Sequence, residues 1–266
     1  MGYSEERVSV RDGMFNVTVR HGGRGDPLVY LHGAGGQGTW DPFMDMLAEE
    51  YTVYSPVHPG WPGSEGLDHL EDVIDMALFY LDLFDTLGLR EINLVGNSLG
   101  GMFAAEIAVL GRSYVRRLVL CEPAGIWLDE YPVFDFFAAL PEDLMKALYH
   151  DPEKIAAQTP PVDPEDKEAM AQVMLDRQMA GAAAAKFVWP IWDKGLKRRI
   201  HRIKMPTLIV WGENDGLVSP VYGSEFQRLI PGSELVVMPE TAHVPMSEHP
   251  EEFVGIVRDF LKSADS

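Results

Sequence analysis

Ile92 to Ala108 reads INLVGNSLGGMFAAEIA, and its middle decides the fold. The apolar run Ile92–Val95 suits a strand buried on both faces. It breaks at Gly96. Asn97 and Ser98 follow, then Leu99, two glycines and a run of small residues with helical character. A strand that turns this sharply into a helix forces its corner residue into a strained backbone conformation. Side chains two positions before and after that corner would collide, so glycine fits at 96 and 100. The corner lifts the Ser98 hydroxyl clear of the backbone. It also sets it at a helix N-terminus, where free N–H groups favour developing negative charge. The plainer reading of the pentapeptide is a Gly-Ser turn. The buried strand before it and the small-residue helix after it favour a nucleophile elbow.

The surrounding chain has the matching rhythm. Residues 7–23, RVSVRDGMFNVTVRHGG, alternate apolar and polar positions on both sides of Asp12-Gly13, which predicts a hairpin. Short apolar runs follow at 27–33, 51–57, 91–97, 115–123, 206–213 and 233–240. Helical patterns separate them, among them LEDVIDMALFYLDLFDTLGL, with Gly88 as C-cap, and the closing HPEEFVGIVRDFLK. Strand and helix in alternation predict an α/β fold with a mostly parallel, doubly wound sheet and an N-terminal antiparallel hairpin. Between Glu122 and Met205 the rhythm stops, and several Pro-punctuated helices replace it. Residues 1–124 and 201–266 are therefore expected to form the core domain, and 125–200 an inserted helical cap.

Composition limits the function classes. The 266 residues carry a formal net charge of −19, which disfavours nucleic acid and anionic membranes as partners. The single cysteine, Cys121, closes an apolar strand and reads as a buried, inert thiol. No His or Cys spacing suits a metal, so neither a metal nor an organic cofactor is expected. The opening MGYSEERVSV has no apolar signal core, and no apolar run approaches a membrane span. A soluble cytoplasmic protein acting on a small molecule is expected; the oligomeric state stays open.

A serine hydroxyl needs a base, and the base needs an orienter. VWGENDGLVSP (210–220) and VMPETAHVPMSEHP (237–250) each follow an apolar strand. Asp215 and His243 thus fall in loops at the carboxyl ends of parallel strands, the edge where open α/β sheets bind ligands. Their order, Ser98…Asp215…His243, is the one this elbow requires. Glu122, at the end of the sixth strand, is the second candidate for the acid.

With these residues in view, the chain resembles the α/β-hydrolase superfamily over nearly its whole length. YLHGAGGQGTW (30–40) is similar to that family's oxyanion loop, and HPGWPGSEG (58–66) to the turn after its fourth strand. The resemblance implies Ser98 as nucleophile, His243 as general base and acid, and Asp215 as orienter. It implies the backbone N–H groups of Ala34 and Leu99 as the oxyanion hole. His32 is expected to be structural, and His58 stands where relatives often have aspartate. Serine at the elbow argues against the branches that use aspartate there. The activity expected is hydrolysis of a carboxylic ester through an acyl-enzyme. Hydrolysis of a C–C bond in dienoate ring-cleavage products is the alternative, since GNSLGG suits it. Those enzymes usually carry asparagine within the segment equivalent to Trp40–Phe43 and tryptophan after the catalytic histidine, where this chain has Pro42 and Val244. A catalytically idle ligand-binding member of the fold is a third reading. In the cap, Lys194, Lys197, Arg198, Arg199, Arg202 and Lys204 are read as a solvated face. Trp127, Trp189 and Trp192 are expected to line a pocket or to pack in the core.

Overall fold

The computed structural model describes residues 2–158, 162–163 and 165–263. Residues 159–161 and 164, inside the expected insertion, lie outside the described residues. Two strands open the chain, β1 (Tyr3–Val10) and β2 (Phe15–Gly23), paired antiparallel around the turn at Asp12-Gly13. After them come β3 (Pro27–Leu31), α1 (Pro42–Leu47), β4 (Thr52–Pro56), α2 (Val73–Thr86), β5 (Ile92–Asn97), α3 (Leu99–Leu110) and β6 (Val115–Cys121). The helical stretch holds α4 (Pro141–Leu148), α5 (Pro152–Gln158), α6 (Lys167–Val188) and α7 (Leu196–Arg199). The chain then returns to β7 (Thr207–Gly212), α8 (Val221–Leu229), β8 (Glu234–Met238), α9 (Pro245–Glu248) and α10 (Pro250–Ser263).

The eight strands form one sheet in the order β1-β2-β4-β3-β5-β6-β7-β8. All pairings from β4 to β8 are parallel, while β2 meets β4 antiparallel. Alternate residues of each central strand feed opposite faces, as the period of two requires. Leu94, Leu118, Leu120, Ile209 and Trp211 pack on the side of α2 and α3. Val95, Val119, Cys121, Leu208 and Val210 pack on the side of α1 and α10. Both faces are covered, so these strands carry apolar side chains on either side. Cys121 is a free, buried thiol, and burial pushes its pKa up.

Registry places the functional loops. Leu31 pairs with Gly96, and Asn97 with Cys121, so β3, β5 and β6 end level with one another. Gly212 pairs with Met238 farther along the same edge. The loops carrying Ala34, Ser98, Glu122, Asp215 and His243 all leave from that edge.

The basic run is not a solvated face throughout. Arg198 is exposed, but Arg199 is half-buried and paired. Its Nε donates to Glu106 Oε2 at 3.0 Å and its Nη2 to Glu106 Oε1 at 2.5 Å. Glu106 lies on α3, the helix that begins at the elbow, and its side chain is fully buried. Arg199 thus ties the end of the helical stretch to that helix. Of the two expectations for the tryptophans, core packing does not hold for Trp189 and Trp192. Trp189 and Trp192 are more than half exposed, and Trp192 stacks on Trp127 rather than in the core.

Arg199→Ala leaves the Glu106 carboxylate buried without its partner. The expected loss is on the order of 3 kcal/mol, read as a lowered thermal midpoint. Arg198→Ala should change stability by less than about 0.5 kcal/mol. Equal, small effects from both would contradict the asymmetry.

Candidate active site

Ser98 occupies the corner between β5 and α3 with φ 54° and ψ −114°. Its N–H donates to the Cys121 carbonyl at 2.9 Å. Its own carbonyl accepts from Met102 N–H and Ala124 N–H, both at 3.0 Å. The flanking glycines leave no room for a side chain. A Cβ on Gly96 would stand 2.4 Å from the Gly100 carbonyl oxygen. One on Gly100 would stand 2.1 Å from the Leu31 carbonyl oxygen, so the start of α3 lies against the end of β3. Leu99, the first residue of α3, has an N–H with no intrahelical acceptor. A Cβ on Gly33 would come within 3.5 Å of Ser98 Cβ, so the loop carrying Ala34 borders the serine.

Asp215 and His243 meet directly. His243 Nδ1 lies 2.8 Å from Asp215 Oδ2, with both side chains buried. The other carboxylate oxygen accepts from Leu217 N–H and Val218 N–H at 2.9 Å each. With Nδ1–H given to a carboxylate, the imidazole keeps an acceptor lone pair at Nε2. That nitrogen is buried and has no hydrogen-bond partner among the described residues. It can take a proton from an incoming hydroxyl. Close packing holds the two loops together, since a Cβ on Gly212 would stand 2.0 Å from the Ala242 carbonyl oxygen.

Asn97 connects the elbow to the histidine. Its Nδ2 donates to the His243 carbonyl and to Glu122 Oε2, both at 3.3 Å. Glu122 is fully buried at φ 42°, and its Oε1 accepts from Gly212 N–H at 2.9 Å. Burial, then the nearby Asp215 charge, pushes its pKa well above the usual carboxylate range. Glu122 therefore touches the elbow and the strand leading to Asp215, while His243 bonds Asp215. The two acids weighed in the sequence are both present, but only Asp215 holds the imidazole.

Several contacts were not legible in the sequence. Glu248 accepts from Ala242 N–H and from His150 N–H, each at 2.7 Å. The end of α4 reaches the same loops: Leu148 O accepts from His243 N–H at 3.0 Å and Ala147 O from Gly216 N–H at 3.1 Å. Among the described residues no group of three or more His, Cys, Asp or Glu side chains is placed to hold a metal ion. No described helix is long and apolar enough to cross a membrane.

The profile of the alpha/beta hydrolase family matches residues 28–256. A pimeloyl-[acyl-carrier protein] methyl ester esterase of Photobacterium profundum is 28% identical over 249 residues, covering 90% of this chain and 96% of that protein. A 2-hydroxy-6-oxo-6-(2'-aminophenyl)hexa-2,4-dienoic acid hydrolase of Metapseudomonas resinovorans is also 28% identical, over 254 residues, covering 90% of this chain and 85% of that one. Among solved structures, a bacterial membrane phospholipase A superposes with a TM-score of 0.81 at 24% identity, covering 100% of this chain and 87% of that one. That last likeness is one of fold.

Gly96→Ala and Gly100→Ala force a Cβ onto backbone atoms. Each is expected to cost at least about 3 kcal/mol, measured by denaturant unfolding. Gly181→Ala is the control: it lies within α6 with nothing inside 4 Å of the new Cβ. It should stabilise by about 0.5–1 kcal/mol. Tolerance of alanine at 96 and 100 would contradict the tight corner.

Proposed function

The chain belongs to the alpha/beta hydrolase family, and we propose that within it this protein is a cytoplasmic serine hydrolase of small carboxylic esters. The observation that carries the reading is the buried His243 imidazole, bonded to Asp215 through Nδ1 and open at Nε2, beside the loop that presents Ser98. Similarity to an ester hydrolase over nearly the full length of both chains supports it.

In this reading Ser98 Oγ attacks the acyl carbonyl while His243 Nε2 takes its proton. The tetrahedral oxyanion is received by the N–H groups of Ala34 and Leu99. The alcohol departs with the proton from the imidazolium. Water, activated by the same nitrogen, then attacks the acyl-enzyme and releases the acid. Asp215 keeps the imidazole in its Nδ1–H tautomer and balances its transient charge. Residues 125–200 act as a cap whose apolar and aromatic side chains admit a moderately apolar substrate.

Cleavage of a C–C bond is the second reading, favoured by the similarity to a dienoate hydrolase at the same identity. It requires a site for an anionic substrate. Arg199, an obvious cation for that purpose, is already engaged by Glu106. Pro42 opens α1 and Val244 follows His243, where that branch usually has asparagine nearby and tryptophan. Esters are therefore preferred.

Ser98→Ala should lower kcat by roughly 10⁶-fold, with the circular dichroism spectrum unchanged. Near-normal activity in that folded variant would sink the assignment. Asp215→Asn should cost on the order of 10⁴ in kcat, and Glu122→Gln far less; reversed costs would place the acid at Glu122. Against a panel of substrates, neutral short- to medium-chain esters should turn over well and ring-cleavage dienoates poorly. A dienoate kcat/KM at least about tenfold above that of the best ester, a preference worth some 1.4 kcal/mol, would install the second reading.

A further inference from the structure

Behind the loop carrying Ala34 lies a buried chain of hydrogen bonds that the reaction described above does not use. His58 occupies the turn after β4, with no exposed surface, among His32, Trp61, Tyr80 and Phe103. Its Nε2 lies 2.9 Å from the His32 carbonyl oxygen, so Nε2 carries the hydrogen and donates. Its Nδ1 then accepts from the Tyr80 hydroxyl on α2. The His58 N–H donates to His32 Nε2 at 3.2 Å, which leaves His32 Nδ1–H to donate to the Gly33 carbonyl at 2.8 Å. Every donor in this chain has an acceptor, with one tautomer for each ring. Burial keeps both imidazoles neutral, with His32 lowered to about 4 and His58 well below the usual range.

The last link bears on catalysis through peptide geometry. In a planar trans peptide, C=O and N–H point in opposite directions. The Gly33 carbonyl and the Ala34 N–H belong to the same peptide. Gly33 O is gripped by His32 Nδ1–H on one side and by Gly36 N–H, at 3.1 Å, on the other. Fixing that oxygen fixes the direction of the Ala34 N–H. The following carbonyl, Ala34 O, is held as well, by Trp61 Nε1–H at 2.9 Å. The loop is thus aimed from behind, by residues 58–61.

Resting on the hydrolase reading, we propose that His58, held by Tyr80, is a positioning residue that aims the Ala34 N–H at the oxyanion. It touches no reacting atom. It holds the His32 carbonyl with its side chain and the His32 ring with its backbone. His32 in turn holds Gly33 O. An aspartate at position 58 has no N–H to give to the His32 carbonyl, so the donor arrangement belongs to histidine here. The His32 carbonyl, which only accepts, sets Nε2 as the nitrogen that carries the hydrogen, and the Tyr80 hydroxyl donates to the Nδ1 lone pair and so holds the ring in place. Its hydroxyl is the polar group in an otherwise apolar stretch of α2 that faces the core.

The test uses p-nitrophenyl butyrate turnover and inhibition by phenylboronic acid, whose tetrahedral adduct places an oxygen where the oxyanion would sit. Wild-type turnover tests the hydrolase reading by itself; an idle wild type overturns both proposals. With an active wild type, His58→Leu should lower kcat on the order of 10²-fold, as a misaimed donor does. KM should stay within about threefold, since ground-state binding does not use the donor. Boronate affinity should fall in parallel with kcat. His58→Gln offers one N–H and one carbonyl oxygen from a similar reach and should recover most of the loss. Tyr80→Phe, which keeps the ring packing, should cost about tenfold in kcat, and it reports on the relay if His58→Leu fails to fold. Unchanged kcat and boronate affinity in folded Tyr80→Phe or His58→Leu, whatever happens to the thermal midpoint, would overturn the proposal.

Discussion

The backbone at Ser98 sits at φ 54°, a conformation that costs a non-glycine residue on the order of 1–3 kcal/mol. Close contact on every side keeps it there. Gly96 and Gly100 lie so near backbone oxygens that no side chain fits, and α3 beyond them is buried along nearly its whole length. The corner is a consequence of seating that helix against β3 and β5. Once it exists, the other parts are positioned relative to it. Asn97 reaches the histidine loop, the Cys121 carbonyl receives the serine N–H, and the Gly33 loop borders the serine.

The site is held by backbone groups more than by side chains. Asp215 is oriented by two amides of its own turn, His243 by a carbonyl at the end of α4, and the Ala34 loop by grips on three consecutive carbonyls. Such an arrangement suits electrostatic stabilisation, which needs donors fixed before charge develops. It also couples the helices between β6 and β7 to the site. Ala147 and Leu148, at the end of α4, bond the residue after Asp215 and the histidine itself. Arg199 binds the far end of that helical stretch to α3 through Glu106. Movement of those helices would be felt at both loops.

Much of this was legible in the sequence because it depends on local rules. Glycine spacing around Ser98, apolar runs of strand length, and the order Ser98, Asp215, His243 each rest on neighbouring residues or on chain order. The sheet and its hairpin follow from them. The unseen parts join residues distant in the chain. Arg199 and Glu106 are 93 positions apart, and a basic run with no visible partner reads as solvated. His58 and Tyr80 are 22 apart, one in a turn and one on a helix face, and nothing local announces that they meet. For Trp189 and Trp192 the core alternative failed because aromatic content says nothing of which face a short segment presents. Between β6 and β7 the helices were visible as periodic patterns, but their docking was not.

The central claim is that Ser98 becomes acylated during turnover. It is tested most directly by rapid acid quench of the wild-type protein turning over p-nitrophenyl butyrate, followed by peptide mass spectrometry. A butyryl group is expected on the peptide that carries Ser98, on no other peptide, and lost with time as substrate is exhausted. Sustained turnover with Ser98 unmodified, or with the acyl group on another residue, would contradict it.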